Sequence, residues 1–191
     1  MIRGVLTGLG LLWMLTGSAQ RLSVKADFRA QLTALNIDLL TPVETDYRDV
    51  PVLKVYKEFQ PYNFAMKSRR EKLEIRFLVA AIDTTDQRAT LPPSAHFMRT
   101  LTHLAANSDD PVAVFSPGDA DVHGFFNADY AKEALFTPKG IWTDRSRCRM
   151  LHLYKEGVAN VFIFFLFDGE PEALDRRYYA LRFGGDDLII D

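Results

Sequence analysis

The segment Phe162-Ile163-Phe164-Phe165-Leu166-Phe167 is apolar at each of its six positions, and nothing else in the chain restricts the fold so sharply. A strand apolar on both sides lies inside a sheet with both faces covered. The residues before it, from Arg147, also have strand composition, and Glu156-Gly157 provides a turn between them. Arg147–Asp168 is therefore expected to form the central hairpin. With Glu156 and Gly157 as the two turn residues, Tyr154 pairs with Ala159, His152 with Val161, Met150 with Ile163 and Cys148 with Phe165. That face is apolar and meets the core. The opposite face pairs Leu151 with Phe162, Arg149 with Phe164, Arg147 with Leu166 and Arg145 with Asp168. It changes from apolar to charged, so only part of it is expected to be covered.

Met1–Ala19 has the form of a secretory signal peptide. Arg3 is the basic start, Val5–Thr16 the apolar stretch, and Gly17-Ser18-Ala19 the small-residue site before Gln20. The apolar stretch is shorter than the roughly 20 residues a membrane-spanning helix needs. Cleavage leaves 172 residues (191 less 19), which suits one domain over 20–191, with no membrane span. It also removes the charge of Arg3 and takes the formal net charge from −2 to −3. Such a balance argues against non-specific nucleic-acid binding. The single cysteine, Cys148, allows no internal disulfide, so packing alone holds the fold, in a periplasmic or secreted setting.

Val24, Phe28, Leu32, Leu35 and Leu39 form one apolar stripe, predicting a helix that ends near Asn36, ahead of Pro42. Val50–Tyr56 reads as an edge strand because of Pro51. Tyr62–Lys67 and Leu73–Ile82 form a second hairpin around the basic turn Ser68–Lys72. Ser94 is positioned to cap a helix over Ala95–Ala106 that buries Phe97, Leu101 and Leu104. Pro111–Phe115 is a short strand. Asn127 is expected to cap a helix reaching Phe136, with Tyr130, Ala131, Ala134 and Leu135 inward. A turn of helix at Pro171–Arg176 and a strand at Tyr178–Phe183 complete the order. The class is α+β, one domain, with a mainly antiparallel sheet built on two hairpins and about three helices packed on it.

Three sets of residues invite chemistry. Asp119, Asp121 and His123 alternate before Gly124, as in the first half of a calcium loop, and two carboxylates with an imidazole also suit zinc or manganese. The twelfth position of such a loop, where a bidentate glutamate belongs, holds Tyr130. Arg145, Arg147 and Arg149 alternate on the first strand of the central hairpin. With Arg69, Arg70 and Lys72 they offer a site for phosphate, sulfate or an acidic glycan. The competing account makes them a solvated face that stacks on Phe164 and pairs with Asp168. Cys148 and His152 are four residues apart on one strand, roughly 13 Å, which is too far for a thiolate–imidazole pair. They read as a buried thiol and a hydrogen-bonded core histidine. His96 and His103 lie two helical turns apart, too distant to share a metal unaided.

G-x-S-x-G, H-E-x-x-H, C-x-x-C and glycine-rich phosphate loops are all absent. The leading expectation is an exported, soluble, non-enzymatic binding domain of the cell envelope or extracellular space, without a cofactor. Its partner would be a protein or small ligand, met where the central hairpin changes from apolar to charged. The alternatives are a metal-dependent hydrolase using Asp119, Asp121 and His123 with a divalent ion, and a polyanion binder using Arg145, Arg147 and Arg149.

Overall fold

A computed structural model describes residues 24–40, 46–52, 62–83, 91–107, 110–169 and 171–185. The leader, most of the segment expected to form a strand at 50–56, and the end of the chain lie outside the described residues. The first half contains helix α1 (Ala26–Ala34), strands β1 (Ile37–Leu39), β2 (Arg48–Asp49), β3 (Phe64–Ser68) and β4 (Leu73–Ala81), then helix α2 (Pro93–Leu104). The second half contains β5 (Ala113–Phe115), a π-helical turn at Ala120–Phe125, then β6 (Tyr130–Phe136), β7 (Arg147–Lys155) and β8 (Ala159–Phe167). A short helix α3 (Ala173–Arg177) and strand β9 (Leu181–Phe183) follow. Seven strands form one antiparallel sheet in the order β2-β3-β4-β8-β7-β6-β5, and β1 and β9 pair separately. The class is α+β with an antiparallel sheet, as the hairpins imply.

β8 lies mid-sheet, and all nine of its residues are buried. Its odd positions, Val161, Ile163, Phe165 and Phe167, join Leu151 and Leu153 of β7 and Ile75 and Phe77 of β4 in one core. α1 covers that face through Phe28 and Leu32, with Phe28 stacked 4.8 Å from Phe64. The even positions, Phe162, Phe164 and Leu166, pack with Cys148 and Met150 under Phe97, Leu101 and Leu104 of α2. The predicted α2 stripe is the observed one. The face that carries Leu151 and Leu153 is buried near the turn and opens at its charged end, where Arg149 is half-buried and Arg147 exposed, so it is covered in part, as expected.

The hairpin register differs from the expected one by a residue. Lys155 pairs with Ala159, His152 with Phe162, Met150 with Phe164 and Cys148 with Leu166. The loop takes three residues, because the Val158 N–H donates to Lys155 O at 3.1 Å and Gly157 adopts φ 68°. A one-residue slip exchanges a strand's faces, and alternation normally prevents it. A strand apolar at every position has no alternation to read, so the turn alone sets the register.

Three other expectations change. Residues 130–136 are not a helix but β6, paired with β7 on one side and β5 on the other. Asn127 is not a cap: it sits at φ 49°, its amide donates to Gly184 O at 3.0 Å and its Oδ1 accepts from Lys155. Pro92, not Ser94, precedes α2, with no side-chain cap. The β3–β4 hairpin forms as expected, with Ser68 opposite Leu73. Lys72, the last loop residue, has φ 51°. Apart from Asn36 and Asn127 it is the only non-glycine residue at positive φ among those described. A lysine there costs roughly 1 kcal/mol more than a glycine.

Candidate binding end of the sheet

β8 stops at Phe167, and Gly169 at φ 75° turns the chain back across the first face, carrying α3 with it. The returning segment leaves three clefts at this end of the sheet. The largest, about 960 Å³, runs between β5, β6 and β7 on one side and α3 on the other. Phe115, Leu135, Phe167 and Leu174 contribute to its apolar lining, and its charged lining is Arg147 and Arg149 with the carboxylates of Asp121, Glu133, Glu172 and Asp175. Phe115 is 49% exposed, although large and apolar. The groove therefore opens at the place where the central hairpin becomes charged.

The three arginines of the alternating stripe have separate roles. Arg149 makes a bidentate pair with buried Glu133, Nε to Oε1 at 2.8 Å and Nη2 to Oε2 at 3.1 Å. Its guanidinium also lies 4.5 Å over the Tyr178 ring. Burial, and then the nearby Glu133 carboxylate, push the Tyr178 phenol well above its usual range. Arg145 precedes β7 and pairs with Asp168 at 2.7 Å. The Ser146 amide, and after it Arg145, hold the Asp168 carboxyl below its ordinary range. Arg147, between them, is exposed at the start of β7 and has no hydrogen bond or ion pair among the described residues. Arg147 and Arg149 share the large groove while Arg145 faces a different cleft. The pairing with Asp168 is observed; the stacking partner is Tyr178 and not Phe164.

Asp119, Asp121 and His123 are not brought together. A calcium loop directs alternate side chains at one point, but here the backbone coils into the turn at 120–125 and positions two apart diverge. Asp119 and His123 are exposed, while Asp121 lines the groove and accepts from the Tyr179 hydroxyl at 2.9 Å. No group of three or more His, Cys, Asp or Glu side chains suited to a metal occurs among the described residues.

Cys148 and His152 are both fully buried. Burial pushes the Cys148 thiol up, so it stays protonated. His152 Nε2 lies 3.0 Å from Asn160 Oδ1, and its ring stacks on Phe162 at 4.1 Å. Burial lowers its pKa to about 4. The core histidine read from the sequence is the one observed.

The other two clefts contain residues that motif reading passed over or left unplaced. One, about 300 Å³, is lined by Lys67, Ser68, Arg69, Lys72, Arg145 and Asp168. The next, about 750 Å³, has Arg70, Lys72, Arg176 and Arg177 along it. Arg177 is engaged with Glu71 and lies 5.6 Å from the Tyr47 ring. Burial opposes ionisation of Glu71, but hydrogen bonds from Arg177 and Tyr47 outweigh it and lower the carboxyl pKa. Lys67, Arg69, Arg70, Lys72 and Arg176 are exposed and have no ion pair among the described residues. Lys67 could have been found by noting that it directly precedes the basic turn. Arg176 could not, because only the fold brings it there.

No protein-family model, curated protein or solved structure matches this chain.

Proposed function

We propose that this chain is an exported, non-catalytic binding domain whose ligand lies in the groove between β5–β7 and α3. One observation carries the proposal: an exposed phenylalanine, Phe115, and an arginine with no partner among the described residues, Arg147, line the same groove. Apolar area left open to water beside an uncommitted guanidinium favours a ligand with an apolar body and an acidic group. Of the four carboxylates at the groove, Glu133 pairs with Arg149 at 2.8 Å, Asp175 lies 3.7 Å from the same guanidinium and Asp121 accepts from Tyr179, which leaves exposed Glu172 as the one without a partner among the described residues.

Anilinonaphthalene sulfonate, an apolar ring system with one acid group, is a suitable probe. The native protein should bind it saturably. Arg147→Ala should weaken binding roughly tenfold, the effect of losing one charge-assisted contact. Phe115→Asp should weaken it further. Equal binding by wild type and both variants would place the probe elsewhere and remove the groove from consideration.

Export rests on the leader. Protein recovered from the producing cell's envelope or medium should begin at Gln20 when its N-terminus is sequenced. Recovery with Met1 retained would end the proposal that residues 1–19 are a cleaved signal.

A further inference from the structure

We propose that the cleft between the β3–β4 turn and Arg145 is a binding site for a phosphomonoester group, separate from the apolar groove. Lys67, Arg69 and Lys72 line it with no anionic partner among the described residues. Four carboxylates lie close by, and each is already engaged, Glu71 of the turn with Arg177. Asp168 is paired with Arg145 at 2.7 Å, and Glu74, opposite Lys67, with Arg76 at 2.7 Å. Asp46 accepts from the Ser68 hydroxyl and, at 3.1 Å, from the Arg70 amide. The neighbouring Asp144 is exposed and does not line the cleft. Three uncommitted cations suit a dianion better than a single carboxylate. Arginine supplies planar paired donors for phosphate oxygens, and lysine a compact charge.

The backbone supplies an independent observation. Lys72 occupies the left-handed position of the turn, φ 51°, where glycine or asparagine would fit with less strain. It lines both this cleft and the adjoining one that contains Arg70 and Arg176. Strained positions that persist in a fold cluster at ligand sites. The strain here presents a charge at the junction of two cationic clefts.

The experiment titrates the full chain with glucose 6-phosphate, glucuronate and inorganic phosphate by calorimetry. A parallel sedimentation assay uses vesicles of phosphatidylcholine with or without phosphatidic acid. The expected result is saturable binding of glucose 6-phosphate that strengthens from pH 5 to pH 7, as the phosphate gains its second charge near pH 6, with little binding of glucuronate. Lys72→Gly should weaken binding about tenfold and, by relieving the turn, raise the unfolding midpoint by about 2–4 °C. Lys67→Ala should weaken binding comparably, and Arg99→Ala, on α2, should leave it unchanged. Vesicle binding that needs phosphatidic acid and is lost in Lys72→Gly would identify a lipid headgroup as the source. Soluble phosphate binding alone would identify a free metabolite. Three results would each overturn the proposal: no phosphate binding in either assay, binding that Lys72→Gly leaves intact, or glucuronate binding as tight as the phosphate. None depends on the fluorescent probe of the large groove, so the two sites stand or fall apart.

Discussion

Arg76→Ala should lower the stability of the fold by about 3–5 kcal/mol. Arg76 is 4% exposed, and its Nε lies 2.7 Å from Oε1 of Glu74, itself 6% exposed. Its Nη1 donates to Trp142 O at 2.8 Å, and its guanidinium lies 4.7 Å from the Tyr62 ring and 4.9 Å from that of Trp142. Truncation leaves a carboxylate buried without its cation, a carbonyl without its donor and two aromatic rings facing a void. The penalty of the stranded charge dominates, because the pair itself roughly balances its own desolvation. Glu74→Leu with Arg76→Met should therefore recover most of the loss. Urea denaturation of the three proteins measures both effects. A loss below about 1 kcal/mol for Arg76→Ala would show that Glu74 finds water or another partner, contrary to its burial.

Acid should destabilise the protein through His152, well above the range in which carboxylates titrate. Its pKa in the folded state is about 4 against an ordinary value of 6.5. The unfolded chain therefore binds the proton first. The folded state's advantage is complete above pH 6.5 and declines as pH falls towards 4. The full loss is about 3 kcal/mol at roughly 1.4 kcal/mol per pH unit. The groups around the ring are the Asn160 amide, whose Oδ1 lies at Nε2 and can only accept, the Tyr130 ring edge, and His96 on α2. None is an anion that would stabilise an imidazolium. Chemical denaturation at pH 7, 6, 5 and 4 should show the decline, and His152→Gln should flatten it. A variant that keeps the wild-type slope would assign the acid sensitivity to other groups.

What the sequence discloses and what it hides follow from the same physics. The α2 stripe is legible because it repeats against one buried face, and the β3–β4 hairpin because its sequence alternates, although β4 is buried on both faces. The position of β8 is legible because unbroken apolarity has only one comfortable place. Its register is not, for the same reason. Ala131-Lys132-Glu133-Ala134-Leu135 favours a helix residue by residue, yet pairing with β5 and β7 overrides the local preference. That error propagates to the site. With Glu133 assigned to a helix, its bidentate bond to Arg149 cannot be anticipated, whereas the pairing of Arg145 with Asp168 is legible from the hairpin. The calcium-like spacing misleads because alternate ligands converge only where the loop wraps around the ion, and the turn at 120–125 does not bring these three together. Asp121 does reach the groove, but as the acceptor for Tyr179.

The edges of the sheet have a consequence for how the protein behaves in a crowded compartment. A segment such as Phe162–Phe167, rich in β-formers and without charge, proline or glycine, has the composition that templates cross-β assembly when its backbone is exposed. In β8 all nine residues are paired to β4 on one side and to β7 on the other. Among the described residues the outermost strands are β2, with two residues, and β5, with three. So short a row of open N–H and C=O groups gives a foreign strand little to join. The arrangement confines the most aggregation-prone stretch to the position where no second molecule can extend it without first unfolding the sheet.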